Sequence, residues 1–369
     1  MEVAMSSLED RSRHVACPNE RLCARVASTL FRTKQRGVCI IDSLASMEAC
    51  STNMEMDEPM RILVVGAGAT GGYFGARLAL AGRDVTFLVR QRRAENLRAR
   101  GLRITGHGDA EVVTPALVTA DELTDPTDLV LLAVKATALS AVLDDMAQAV
   151  GPDTLIVPFL NGIAHLDKLN DRFGARNVLG GVVMVATQLN DAGDIIQLAP
   201  FASLQIGPQD GHVTARIQDA HDTLAGAGFD TAISEDILAA MWHKWVFIST
   251  VGALTCLTRG TVGDIVAAPE GEKLGPAILA EAAAVSAAAG YPVPQTELDS
   301  TTHTITEPTS AFASSMFRDV SDRHHTEVEH VLADLAARAR TFQVSTPLLD
   351  LATLHLRVYE DRLAKDTHP

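Results

Sequence analysis

The segment RILVVGAGATGG, Arg61 to Gly72, constrains the fold more than any other part of the chain. Ile62 to Val65 is an apolar, largely β-branched run of the kind that forms a strand buried on both faces. Gly66, Ala67, Gly68, Ala69, Thr70 and Gly71 then spell GxGxxG, and Thr70 to Ala81 reads as a helix closed by Gly82. A strand, a glycine turn and a helix in that order form an anion cradle. Gly66 permits the tight turn, Gly68 lets a pyrophosphate approach the backbone, and Gly71 lets the helix pack close to the sheet. The unpaired N–H groups and the positive end of the helix dipole then face the phosphates.

The chain continues in the same alternation. Asp84 to Val89, Asp128 to Val134, Thr154 to Phe159 and Val178 to Thr187 read as strands separated by helical stretches. That pattern predicts a doubly wound, Rossmann-type α/β sheet. After Ser234 strands disappear. Glu235–Leu257, Pro269–Ala289, Thr309–Val320, Thr326–Phe342 and Pro347–Ala364 read as helices. The expected organisation is a nucleotide-binding domain over 60–233 and an all-helical C-terminal domain over 234–369. Residues 1–59 lack a sustained period and carry four of the five cysteines. They read as a sequence ahead of a true start at Met56 or Met60, or else as a disordered leader.

The end of the second strand selects the cofactor. A site for NAD would carry an acid there to hold the ribose 2′-hydroxyl. The sequence has FLVRQRR instead, with Arg90, Arg92 and Arg93 and no carboxylate. A guanidinium grips a 2′-phosphate that a carboxylate would repel. The reading is NADP(H) with Arg90 as the primary contact; a solvated basic turn is the alternative.

Bulk properties exclude other classes. With 31 basic and 46 acidic residues the net charge is −15, against non-specific binding to nucleic acid or anionic membranes. No run of eighteen apolar residues occurs, and Leu238 to Leu257, the most apolar long stretch, carries His243 and Lys244. It reads as a buried amphipathic helix. There is no CxxC pair and no HExxH, so no metal site is expected. A reducing, cytoplasmic setting fits the cysteine usage.

Further motifs follow in a fixed order: AVK with Lys135, LNG with Asn161 and Gly162, MWHK with Lys244, and SSMFRDV followed by HTEVE. With GAGATGG and FLVR, they make residues 60–362 resemble the ketopantoate reductase family. The resemblance implies reduction of a 2-oxo acid by NADPH in a cleft between a Rossmann domain and a helical domain, with a homodimer as the candidate assembly. It makes Lys244 the catalytic lysine, Asn161 the asparagine at nicotinamide and substrate, and Lys135 a lysine near the cofactor. Glu327 matches the glutamate that contacts the cofactor and faces the lysine. Ser315 matches the serine that binds substrate. Thr326 and Glu329 also fit a capping box, which leaves Glu327 available for the site.

The chain departs from the family where the substrate should sit. Asparagines four and eight residues after the family's lysine are replaced by Ile248 and Gly252, and a third by a residue near Val262. Those positions share one helix face. Gly252 is expected to leave room for a larger substituent. Arg259 reads equally as a substitute carboxylate anchor and as a helix C-terminal charge. The expected activity is NADPH-dependent reduction of a 2-oxo acid. A more apolar carbonyl or imine substrate, and a non-catalytic NADP(H) sensor, are the alternatives.

Overall fold

The computed structural model describes residues 59–367 apart from Asp109; the expected leader and the start at Met56 lie outside them, and Met60 is described. Strand β1 (Ile62–Val65) is buried at every position and pairs in parallel with β2 (Val85–Leu88). On its other side it pairs in parallel with β6 (Thr127–Leu132), which pairs with β7 (Val150–Pro158). Strand β5 (Ala116–Val118) closes the edge, for an all-parallel order β5-β2-β1-β6-β7. Helix α1 (Ala69–Leu80) covers one face through Tyr73, Phe74 and Leu78; α3 (Leu139–Asp145) and α4 (Ala164–Phe173) cover the other. Helices on both faces explain the continuous apolar runs, because no strand face meets water.

A second sheet joins the α/β half. The strand expected at Val178 to Thr187 is β8 (Leu179–Leu189); it meets the parallel sheet only where Val178 bridges Ile156 of β7 in parallel, and then runs antiparallel to β9 (Ile195–Pro208). Beyond β9 lie β10 (Asp230–Ile233), β3 (Leu102–Thr105) and β4 (Glu111–Val113). Periodicity hid these strands for identifiable reasons. β3, β4 and β10 are three or four residues long. β9 is interrupted by Pro200, at the place where its pairing with β8 shifts register between Val185 and Thr187.

In the helical half, α6 (Ile237–Thr258) is the pillar. Asp236 caps it, its Oδ1 accepting from the Ala239 N–H at 3.1 Å. By length and composition α6 would span a bilayer. Its apolarity has another cause. Ile237 and Met241 pack into the core of the α/β half, while Trp242, Trp245 and Val251 to Cys256 pack into the helical core. It is buried nearly all round rather than amphipathic as expected. Around it stand α7 (Val262–Ala267), α8 (Gly271–Ala288), α9 (Gln295–Ile305), α10 (Ser315–Ser321), α11 (Asp334–Thr341) and α12 (Pro347–Thr367). Helix α9 escaped notice because Ile305 is its only fully buried residue, so it shows no apolar stripe.

A π-helical turn, Glu329–Ala333, precedes α11 where one continuous helix was expected from Thr326. The capping box does not form. Glu329 is drawn to Arg357, with two bonds of 2.7 Å. Glu360 instead accepts from the Thr326 N–H at 2.7 Å and from its hydroxyl at 2.8 Å. Trp245 holds the π turn: its indole N–H donates to the Val331 carbonyl at 2.8 Å, and the Ser249 hydroxyl donates to the same oxygen at 3.3 Å. A buried indole N–H without an acceptor costs about 1–3 kcal/mol. Trp245→Ala should therefore destabilise the protein by about 3–5 kcal/mol. Trp245→Phe, which keeps the packing and loses the bond, should cost about 1–3 kcal/mol in urea unfolding. A loss below about 0.5 kcal/mol in Trp245→Phe would show that the bond does not hold the turn.

Candidate active site

The glycine turn takes the form its sequence requires. Gly66 has φ +99°, a region that side chains disfavour. A Cβ on Gly71 would lie 2.2 Å from the Gly66 carbonyl oxygen, so only glycine lets α1 pack there. Gly68 differs: among the described residues a Cβ added to it would meet nothing within 4 Å. Helix α1 has no side-chain cap and no acid in its first turn. Its leading N–H groups are thus left to a ligand, and nothing repels an anion.

The three arginines after β2 divide the work. Arg90 and Arg92 are exposed, and Arg90 stands at the N-terminus of α2 (Gln91–Arg100). Arg93 is committed to the structure. It donates to the Ala67 carbonyl of the glycine turn and to the Gly193 carbonyl, both at 3.1 Å, and its partial burial lowers its pKa. It ties the turn to the β8–β9 hairpin, which leaves Arg90 and Arg92 for a ligand.

The second group of residues gathers where the parallel strands end. Asn161 follows β7, and its amide donates to Glu327 Oε2 at 3.1 Å. The other oxygen of Glu327 accepts from the Ala136 N–H at 3.4 Å. Lys135, at the end of β6, reaches Asp319 Oδ2 at 3.5 Å and the His325 carbonyl at 3.4 Å. Burial pushes the Asp319 carboxyl up, and Lys135 opposes that shift. Gly162 has φ +75°, and a Cβ there would lie 2.9 Å from the His330 carbonyl. The Asn-Gly turn thus sits directly on the π turn that follows Glu327.

Lys244 completes the group. It is partly buried on α6, and its pKa is lowered to about 8: burial disfavours the ammonium, and Glu327 opposes that by favouring it. A lysine with this pKa still holds its proton at neutral pH and releases it readily. Beside it is His165, which the sequence reading passed over. It is 4% exposed, and its Nε2 has no hydrogen-bond partner among the described residues. Burial first, then Lys244 and His330, push its pKa down to about 3, so it stays neutral. No motif marks this histidine; only the fold brings it to the lysine.

The expected substrate contacts Ile248 and Gly252 lie on α6, and Arg259 lies at its end. Over Gly252 lies the Met316 Cε methyl, 2.3 Å from where a Cβ would stand. It is the far end of a flexible side chain, which can swing aside at little cost. Ile248 is half-buried against the helical core. Arg259 ends α6 in the left-handed region, with its Nε 3.4 Å from His355 Nε2 and its guanidinium 5.9 Å from the Tyr359 ring centre. Fifteen residues of helix put it about 22 Å from Lys244 along the axis. A carboxylate bonded directly to a carbonyl at Lys244 is out of reach of a guanidinium turned onto Tyr359. The helix-end reading of Arg259 is the one the geometry supports. Ser315 is exposed with its hydroxyl uncommitted, since Ser314 is the residue that caps α10 by accepting from the Phe317 N–H at 2.9 Å.

Known proteins share this architecture. The sequence model of the ketopantoate reductase PanE/ApbA family matches residues 62–211, and that of the family's C-terminal region matches residues 236–360. An uncharacterized oxidoreductase of Bacillus subtilis, YkpB, is 33% identical over 82% of this chain and 99% of its own length. A 2-dehydropantoate 2-reductase of Archaeoglobus fulgidus is 28% identical over 77% of this chain and 92% of its own. Among solved structures, a 2-dehydropantoate 2-reductase from Methylococcus capsulatus is 28% identical, covers 82% of this chain and 98% of its own, and has a TM-score of 0.72. A PanE/ApbA family ketopantoate reductase from Ralstonia eutropha is 25% identical over 83% and 100%, with a TM-score of 0.74. Matches that run through both halves, over nearly the full length of each relative, place this chain in the ketopantoate reductase family of oxidoreductases.

Proposed function

We propose that this protein reduces a 2-oxo acid or a closely related carbonyl compound to the corresponding alcohol, with NADPH as the hydride donor. The observation that carries the proposal is Lys244, an ammonium whose pKa burial lowers to about 8 and whose charge Glu327 favours, with Glu327 held by the Asn161 amide. The cofactor, when bound, supplies the hydride. Its pyrophosphate would lie over Gly68 on the N–H groups of α1, and its 2′-phosphate against Arg90. Hydride addition builds negative charge on the carbonyl oxygen. Lys244 stabilises that charge and then gives its proton to the oxygen. Glu327 favours the ammonium form and is itself oriented by the Asn161 amide and the Ala136 N–H. A non-catalytic sensor would have no use for this ordered set. Ile248, with methyl groups where a hydroxyl would need a donor, favours a substrate less polar than ketopantoate.

Cofactor choice is tested by affinity. NADPH should bind more tightly than NADH by about 2–3 kcal/mol, and Arg90→Ala should remove most of that difference. Gly68→Ala should retain the melting temperature and weaken NADPH binding, while Gly71→Ala should lower the melting temperature. Equal affinity for both cofactors in the unmutated protein would sink the NADP assignment.

Catalysis is tested by turnover and pH. Lys244→Ala should cut turnover by roughly 10²–10⁴-fold with little change in NADPH affinity. Reduction needs the ammonium, so kcat/KM should be flat below pH 8 and fall as the pH rises through about 8. Glu327 raises the Lys244 pKa, so Glu327→Gln should move that limb to lower pH. A limb that moves upward, or a Lys244→Ala variant within a few-fold of wild type, contradicts the assignment. NADPH oxidation across a panel of 2-oxo acids, with and without amines, separates ketone from imine reduction. Ketopantoate should rank well below apolar 2-oxo acids in that panel, by roughly 10²–10⁴-fold if the two lost hydrogen bonds add.

A further inference from the structure

The turn that joins β8 to β9, Asn190 to Asp194, is held to α2 by two side chains, Arg93 and Arg100, that stand about two helical turns apart. Arg100 donates to the Ala192 carbonyl and pairs with Asp194 at 3.1 Å. Arg93 donates from Nη2 to the Gly193 carbonyl at 3.1 Å and from Nη1 to Asn96 Oδ1 at 3.3 Å. Its third nitrogen, Nε, donates to the Ala67 carbonyl in the middle of the glycine turn at 3.1 Å. All three guanidinium nitrogens therefore have acceptors within the protein. The glycine turn cannot hold itself in the same way. Gly66, Ala67, Gly68 and Ala69 carry no side chain longer than a methyl group, and α1 has no side-chain cap. A segment of that composition has many backbone conformations open to it, whereas an anion cradle needs its N–H groups held in one.

We propose that Arg93 is a positioning residue for the dinucleotide: anchored on the β8–β9 turn, it fixes the Ala67 peptide and so keeps the glycine turn in the form that receives the pyrophosphate. The proposal rests on the reading of that turn as the cofactor's cradle. A ligand that binds only the formed turn loses affinity in proportion as the formed fraction falls. The guanidinium's bonds to the two carbonyls are charge-assisted, and they tie the glycine turn, which leaves the parallel sheet, to a hairpin of the second sheet. The two arginines then have separate tasks. Arg90 distinguishes NADPH from NADH through the 2′-phosphate. Arg93 acts on the pyrophosphate that both cofactors share, so the affinity for both depends on it. Gly193 belongs to the same device. Its φ is +82°, and a Cβ there would lie 2.5 Å from Arg93 Nη1, so a side chain at this position pushes the guanidinium off its acceptors.

The test measures binding of NADH, which has no 2′-phosphate, beside NADPH on the full chain. Arg93→Lys keeps the charge and loses the fork that reaches both carbonyls. Gly193→Ala disturbs the anchor and leaves α2 and the glycine turn unaltered. The calorimetric Kd of each cofactor should rise by about fivefold or more in both variants, each shown to be folded by its melting transition. A smaller rise for NADH in either variant overturns the proposal; a rise for NADPH alone would make Arg93 a direct contact of the 2′-phosphate. Hydrogen exchange of the ligand-free protein gives a readout that needs no cofactor. Backbone amides of residues 66–72 should exchange about tenfold faster or more in both variants, with those of β7 unchanged. Unchanged exchange at 66–72, or equal acceleration across the parallel sheet, overturns the positioning role. If the unmutated protein binds neither cofactor, the cradle reading fails, and faster exchange confined to the turn still shows the brace. If both cofactors bind and the variants match the unmutated protein, the brace fails and the cradle reading stands.

Discussion

The bond from the Trp245 indole to the Val331 carbonyl organises the helical half around Lys244. An indole N–H inside an apolar core must find an acceptor. The Val331 carbonyl, inside the π turn at Glu329–Ala333, supplies it. The same turn brings the His330 carbonyl against Gly162 and sets Glu327 just before the irregularity, beside Asn161. Trp245 is also the next residue after Lys244. One buried interaction therefore fixes the lysine's helix relative to the strand-end asparagine and the carboxylate.

Helix α6 carries this arrangement between the two halves. Its first two turns belong to the core of the α/β half and its remainder to the helical core. Lys244 falls at the transition, where the helix leaves one core for the other and a lysine can be enclosed without being sealed. This position accounts for its chemistry. Burial lowers its pKa, and Glu327 limits the fall. A lysine deeper in either core would lose its proton, and one on the surface would hold it too firmly to donate.

Local chemistry made part of this legible from residues alone. The strand–glycine–helix unit could be read because four consecutive buried apolar residues and three spaced glycines have few other structural uses. The same holds for the all-helical second half. Short strands and α9 were not legible. A three-residue strand shows too little period, and a helix with one fully buried residue has no stripe. The capping box at Thr326 was a sound local inference that tertiary contacts overrode. Arg357 offered Glu329 a charged partner, and Glu360 took its place at the cap.

For the site, the residues Lys135, Asn161, Lys244 and Glu327 came from motif order, and the fold gathers them at the ends of β6 and β7. Sequence by itself determined the glycine turn and the absence of an acid after β2. Each is set by residue type within one short segment. Tertiary structure decided what surrounds them: that Met316 lies over Gly252, that Arg259 stacks on Tyr359, that Arg93 braces the glycine turn, and that His165 lies buried beside the lysine. Each of these joins residues 26 to 100 positions apart, and spacing along a chain carries no information about which distant side chain will occupy a given volume.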